Sequence, residues 1–219
     1  MKAYSANNLG KKDKERLEIY TLGRFMLKKK DKLLSGAISR SYRLWELFKY
    51  LLTYRGKGVL PEIALEKLWP EQDYVDPKRT FRNSIYRLRH LLTKEFPLGS
   101  NAEYIIFSHG CYRWNPDLNY WLDSEEFESL VQKGRQMFST APLEAVEVYK
   151  KAIFLYRGEH SPEICYSEWV LPVRIYYRRL YLQSLSELLK ILAKANSILK
   201  SSSSVKKPFS LNLWRKSCI

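Results

Sequence analysis

Residues 77–94 carry six basic side chains (Lys78, Arg79, Arg82, Arg87, Arg89 and Lys94) and no acid, on a stretch whose apolar residues recur at helical spacing. At about 100° per residue, Phe81, Ile85, Leu88 and Leu92 fall on one narrow stripe. Asp76-Pro77 in front of them reads as an N-cap followed by proline at the first helical position. The spacing predicts a helix to about Thr93. Arg79, Asn83, Tyr86 and His90 lie opposite the stripe, Arg82 and Arg87 flank that face, and Arg89 sits near the boundary. The stripe must be covered by other elements. A helix whose outer face was merely solvated would carry Glu or Asp to pair with its arginines. A face of guanidinium, amide, phenol and imidazole groups without a carboxylate is suited to duplex DNA. Arg pairs with guanine and Asn with adenine in the major groove, and either side chain also binds phosphate.

Composition bounds what surrounds this helix. The chain has 219 residues, a net charge of +15, 45% hydrophobic and 14% aromatic residues. It can bury a core, which excludes a disordered basic tail, and its length fits one or two domains. The charge is uneven. Residues 1–57 carry 15 basic and 5 acidic groups, residues 59–76 one basic and five acidic, and residues 124–200 are nearly balanced at 11 to 9. A polyanion footprint therefore belongs to the first hundred residues, with the N-terminal excess adding non-specific backbone attraction.

Ahead of residue 77, residues 17–22 (LEIYTL), Phe25-Met26-Leu27 and Lys32-Leu33-Leu34 have strand character, with Gly23-Arg24 as a turn and Lys28, Lys29 and Lys30 on an edge or loop. A helix starts near Ser41 with Leu44, Leu47, Phe48, Leu51 and Leu52 inward and stops at Gly56 and Gly58. A short one follows from Pro61, burying Ile63, Leu65 and Leu68. After the basic helix, residues 104–107 and 112–114 form an aromatic hairpin around Ser108-His109-Gly110-Cys111. Three helices closed by a hairpin spell a winged helix-turn-helix. From Ser124 the texture is helical: Phe127, Leu130, Val131 and Phe138 in one helix, and Ala145, Val148, Tyr149, Ala152, Leu155 and Tyr156 in a second opened by Pro142. A long third runs from about Trp169 to Ala195. Small and aromatic residues alternating in this way suit tetratricopeptide-like helix pairs.

These residues resemble a known family. Arg79-Thr80-x4-Ile85-x-Arg87-Leu88-Arg89-x2-Leu92 is similar to the recognition helix of OmpR/PhoB-type winged helices, and Tyr112-Arg113 to the end of their wing. The motifs Leu22-Gly23-Arg24-Phe25, Leu65-x2-Leu68-Trp69-Pro70, Leu122-Asp123-x3-Phe127 and Ala152-x2-Leu155-Tyr156-x-Gly158, with Trp169, resemble regulators with a bacterial transcriptional activator domain, including the Streptomyces antibiotic regulatory protein family. The resemblance covers roughly residues 17–195. It implies an α+β winged helix-turn-helix (17–121) followed by an all-α, tetratricopeptide-like helical domain (122–197) that is shortened. A flexible leader (1–16) and a disordered tail (198–219) flank them. It implies a cytoplasmic transcription regulator, often an activator, that binds direct repeats of double-stranded DNA and is not an enzyme. In the roles it implies, Asn83, Tyr86 and Arg87 face bases. Lys78, Arg79, Thr80, Arg82 and Arg89 hold phosphates, and His109 and Arg113 serve the wing. Glu71, Asp73 and Asp76 form a loop facing RNA polymerase. The alternative is a tetratricopeptide-like scaffold whose basic half binds acidic partners.

Other chemistry finds little support. No apolar run approaches the roughly 20 residues of a membrane span or reads as a signal peptide, so no membrane association is expected. Cys111, Cys165 and Cys218 lack disulfide or zinc-ribbon spacing and read as reduced thiols. His109-x-Cys111 offers too few ligands for a metal, and His90 and His160 lack the spacing, so no metal or cofactor is expected. Cys165 reads as a buried small residue rather than a nucleophile. No glycine-rich phosphate loop is present. The tyrosines at 149, 156, 166, 176, 177 and 181 read as interhelical packing.

Overall fold

The computed structural model of the chain describes residues 16–35, 42–99, 102–165 and 167–204. In chain order these form β1 (Leu17–Tyr20), β2 (Met26–Lys29), β3 (Lys32–Ser35), α1 (Tyr42–Thr53), α2 (Pro61–Leu68), α3 (Pro77–Glu95), β4 (Ile105–Ser108), β5 (Cys111–Trp114), β6 (Tyr120–Leu122), α4 (Asp123–Met137), α5 (Pro142–Leu155) and α6 (Val170–Ser204). The expected leader falls, apart from Arg16, outside the described residues.

A four-stranded sheet has the order β3-β2-β1-β6, with β6 parallel to β1 and the other pairs antiparallel. β6 follows the hairpin, so the chain returns to its first strand before entering α4. Three helices and the β4–β5 hairpin then occupy the order expected of a winged helix. The hairpin pairs Ile105 with Trp114 and Ser108 with Cys111. His109 (φ 53°) and Gly110 (φ 77°) both turn left-handed, as a two-residue hairpin loop requires. Val59 adds a third partner to the wing: its N–H donates to Tyr112 O at 2.8 Å and its carbonyl accepts from Tyr112 N at 2.9 Å. Gly58 makes that pairing possible, since a Cβ there would lie 2.5 Å from Cys111 Cβ. The helix-stopping role expected of Gly58 is thus secondary to this close approach.

α1 is the centre of the fold, with every residue from Leu44 to Leu52 buried. Phe48 packs against Phe25 and Trp114 at ring separations of 5.9 and 5.4 Å. On α2 the buried set is Pro61, Ala64, Leu65 and Leu68, spaced as one helical face. Ile63, expected in the core, is instead 48% exposed, because it falls off that face.

The helical half does not stand apart. α4 and α5 form a helical pair in which Gly134 lets the Tyr149 ring approach, with Ala145 and Ala152 buried alongside. The segment after α5 then turns back onto the winged helix. Ile164, Trp169 and Val170 join its core, and Trp169 meets Tyr50 edge-on at 5.1 Å. Buried polar groups join the halves. Asp123 accepts hydrogen bonds from Thr21 N, Thr21 Oγ1, Leu22 N and Ser124 N at 2.7–2.8 Å. Burial pushes its carboxyl up, and these donors pull it back. Glu46 accepts from Trp69 Nε1 at 3.1 Å and from the Ser167 hydroxyl. Lys49 Nζ lies 3.3 Å from Glu163, whose other oxygen accepts from Phe25 N. Burial lowers the Lys49 ammonium, with Glu163 opposing. The junction at residues 121–122 is therefore tied to β1, and the loop 159–169 lies against α1.

Two further expectations change. α6 continues through residues 198–204, which were expected in the disordered tail. A formed helix propagates at one hydrogen bond per residue and serine costs only about 0.5 kcal/mol against alanine, so the serines at its end do not break it. Cys165 is exposed, because Ile164 takes the inward position beside it. Four of the tyrosines pack between helices, with Tyr149 and Tyr177 buried, Tyr156 stacked on Tyr181 at 4.4 Å, and Tyr149 donating to Glu187 at 2.6 Å, whereas Tyr176 is 50% exposed. Tyr166 lies outside the described residues.

Candidate nucleic-acid interface

α3 begins where the carboxylate of Asp76 accepts from Arg79 N at 2.9 Å, with Pro77 supplying the first turn. This cap fixes which face turns outward. Phe81, Ile85, Leu88 and Leu92 are buried, while Lys78, Arg79, Arg82, Asn83, Tyr86, Arg87 and His90 are exposed. Tyr86 is 71% exposed, far beyond what a packing tyrosine shows.

The outer face forms a ridge between two grooves. On the wing side a groove of about 670 Å³ is lined by Lys78, Arg82, Tyr86 and Arg89 from α3, by Phe107, Gly110 and Tyr112 from the hairpin, and by Leu60, Pro61 and Glu62 at the start of α2. On the other side, a groove of about 540 Å³ brings Thr80, Ser84 and Arg87 beside Tyr42, Arg43, Trp69, Gln72 and Tyr74. The residues expected to read bases are thus distributed: Tyr86 toward the wing, Arg87 toward α1, and Asn83 on the ridge between them.

The candidate phosphate ligands differ in freedom. Arg79 and Arg82 are exposed and, among the described residues, make no ion pair. Lys78 meets Glu62 at 3.6 Å in an open surface pair, which holds it weakly. Thr80 is half-buried. Arg89 is engaged within the protein: its guanidinium holds the Glu103 carboxylate at 3.0 Å and donates to the Ile105 carbonyl, pinning the hairpin to α3. On the wing, His109 occupies the tip and Arg113 is exposed on β5. Ring contacts from Phe81 to Tyr112 (5.3 Å) and from Tyr112 to Phe107 (4.6 Å) set the hairpin against α3.

In the loop between α2 and α3, Glu71 and Asp73 are exposed, while the Asp76 carboxylate caps α3. Residues absent from the expectation complete the site. Arg43 stacks over Trp69 at 5.6 Å and donates to Gln72, and Phe107 leaves 56% of its surface open on the wing. Arg43 is the second residue of α1 and lies off its apolar stripe, with no periodic signal of its own. Phe107 looks like any strand aromatic until the hairpin register turns it outward. Among the described residues no group of three or more His, Cys, Asp or Glu side chains could hold a metal, and no helix is long and apolar enough to cross a membrane.

No protein-family model matches the sequence, and no curated protein does. Among solved structures, the chain is similar in fold to EmbR of Mycobacterium tuberculosis, determined in complex with a low-affinity phosphopeptide. The TM-score is 0.68 at 16% sequence identity. The likeness covers 87% of this chain and 50% of EmbR, so the chain spans about half the length of that protein. It extends across both the winged-helix arrangement and the helices that follow.

Proposed function

We propose that the chain is a sequence-specific double-stranded DNA-binding transcription regulator of the bacterial transcriptional activator domain type, and not an enzyme. The observation that carries this reading is the carboxylate-free outer face of α3, set beside a hairpin that shares a groove with it. α3 enters the major groove, where Asn83 and Arg87 reach base edges and Tyr86 supplies apolar contact. Lys78, Arg79, Thr80 and Arg82 hold the flanking phosphates, and Arg89 serves first to position the hairpin. Hairpin 104–114 approaches the minor-groove side through His109 and Arg113. Glu71 and Asp73 offer RNA polymerase an acidic surface, and activation from direct repeats follows from the family resemblance.

Selection of bound sequences from a random duplex library tests the reading. A consensus should emerge, and affinity for it should fall with salt at a log–log slope of about −0.9 per phosphate neutralised. Arg87→Ala should cost about 1–3 kcal/mol and relax preference at one position of the consensus. Failure of any consensus to emerge, with all binding lost to random competitor, refutes specific recognition.

A further inference from the structure

A helix set in the major groove meets a phosphate wall on each flank, because the groove is about 12 Å wide and the helix with its side chains about 10–12 Å. On α3, Asn83 marks the crest of the outer face, with Arg82 about 100° to one side and Ser84 about 100° to the other. The two flanks are unequally furnished. The wing-side flank carries Lys78, Arg82 and Arg89. The flank facing α1 carries Thr80, Ser84 and Arg87. Thr80 and Ser84 are half-buried, and the Ser84 hydroxyl already donates to Thr80 O at 3.1 Å. With Arg87 reaching a base edge, α3 has no cation left for this second wall.

A cation stands across the groove from it. Arg43 of α1 is exposed, with its guanidinium 5.6 Å from the centre of the Trp69 ring, and its Nη1 donates to Gln72 Oε1 at 3.2 Å. The Tyr74 hydroxyl donates to the same oxygen at 3.0 Å. Among the described residues Arg43 makes no ion pair, and Glu46, one turn along α1, is turned inward to Trp69 Nε1 and the Ser167 hydroxyl. The ring and the shared amide oxygen hold the planar guanidinium in one orientation and leave its remaining N–H groups to a ligand. A guanidinium that is held but not neutralised suits a phosphate. We infer that Arg43 is a phosphate ligand for the DNA strand that passes α3 on the side away from the wing. The inference rests on the reading that α3 lies in the major groove, and it adds a contact made by α1.

The test measures the full chain by fluorescence anisotropy on two duplexes of equal length, one selected from the random library and one unrelated. Arg43→Met keeps a side chain against Trp69 and should leave the urea midpoint unchanged. It should weaken both duplexes alike, by roughly 10-fold, and make the log–log salt slope shallower by about 0.9, with the selected consensus unaltered. Arg43→Lys keeps the charge, and with it the slope, but loses the planar fork, and its affinity should fall between the other two. Methylphosphonate placed at one backbone position at a time removes a single charge. One such position should weaken the parent as much as Arg43→Met does and should cost that variant nothing further. An unchanged affinity or slope in Arg43→Met overturns the inference. So does an altered consensus, which would make Arg43 a base reader, and so do additive losses at every methylphosphonate position. A parent chain that yields no consensus or binds no duplex brings down the DNA reading, and this contact with it, before any variant is made. A parent that binds while Arg43→Met matches it brings down this contact alone.

Discussion

His160 ties the stability of the whole chain to pH. Its ring is almost wholly buried and stacks on Tyr177 at 5.5 Å, nearly parallel at 7°. Burial first, then the charges of Lys49, Arg174 and Arg55, push the imidazole from its ordinary 6.5 down to about 3. The folded chain therefore keeps this histidine neutral across a range in which the unfolded chain protonates it. With a lowered folded value, the contribution is fully present above pH 6.5 and is lost as pH falls toward 3. At about 1.36 kcal/mol per pH unit, moving from pH 7.5 to 5.0 removes roughly 2 kcal/mol, and the loss nears 5 kcal/mol at pH 3. Other groups titrate over the same span, and the raised Asp123 carboxyl acts in the opposite sense, so the effect is isolated by difference. His160→Phe keeps an aromatic ring beside Tyr177 and cannot titrate. Urea unfolding of both proteins at pH 7.5 and 5.0 should show the parent losing about 2 kcal/mol more than the variant, whatever the variant's stability at neutral pH. Parallel losses would mean that His160 is hydrated or paired when protonated, and would refute its placement in the core.

Three further outcomes follow from the same contacts. Asp123→Asn replaces one acceptor oxygen by a donor facing the N–H groups of Thr21 and Leu22, and should cost about 3 kcal/mol in urea unfolding; full stability in the variant would remove Asp123 as the tie between the halves. Gly58→Ala forces its new methyl group against Cys111 on a hydrogen-bonded strand, costing about 1–3 kcal/mol and speeding amide exchange at Tyr112. Adding Cys111→Gly should restore both, and no rescue would place the strain elsewhere. Arg89→Met should speed amide exchange along hairpin 105–114 even without DNA, because the guanidinium pins Glu103 and Ile105; an unchanged hairpin would free Arg89 for phosphate alone.

How far the sequence speaks depends on whether a residue's partner is near it in the chain. The faces of α3 were legible because a helix sets them by a local rule, and Asp76-Pro77 marks its start in adjacent letters. The hairpin was legible because its aromatic strands flank a two-residue turn. Val59 was not, since a single residue pairing with Tyr112 leaves no periodicity to read. β6 was missed for a related reason: three residues gain strand character only by lying parallel to β1, about a hundred positions away. α1 showed one apolar face, yet its Glu46 and Lys49 are also buried. They answer groups on the loop 159–169, and no local pattern announces a partner more than 110 residues distant. At the candidate site the same limit applies: the outward residues of α3 could be named from spacing, but not that Arg89 turns to Glu103 while Arg79, Arg82 and Arg87 stay open.

The pairing pattern also relocates the charge. The basic excess of residues 1–57 reads as a broad attraction for a polyanion, but much of what the structure describes there is answered within the protein. Lys28 meets Glu18, Lys32 meets Glu95, Lys49 meets Glu163, and Arg55 meets both Glu125 and Glu128. The Lys49 and Arg55 side chains are largely shielded and their three pairs join the winged helix to the helical half, so these two cations help hold the fold together and are not free to meet a ligand. On α3 the proportion reverses. Lys78 and Arg89 have carboxylate partners, whereas Arg79, Arg82 and Arg87 have none among the described residues and stand beside Asn83 and Tyr86 on a rigid, capped helix. A net charge is a property of the composition, but a footprint is what remains after internal pairing. Among the described residues, three of the cations that remain stand together on one face of α3.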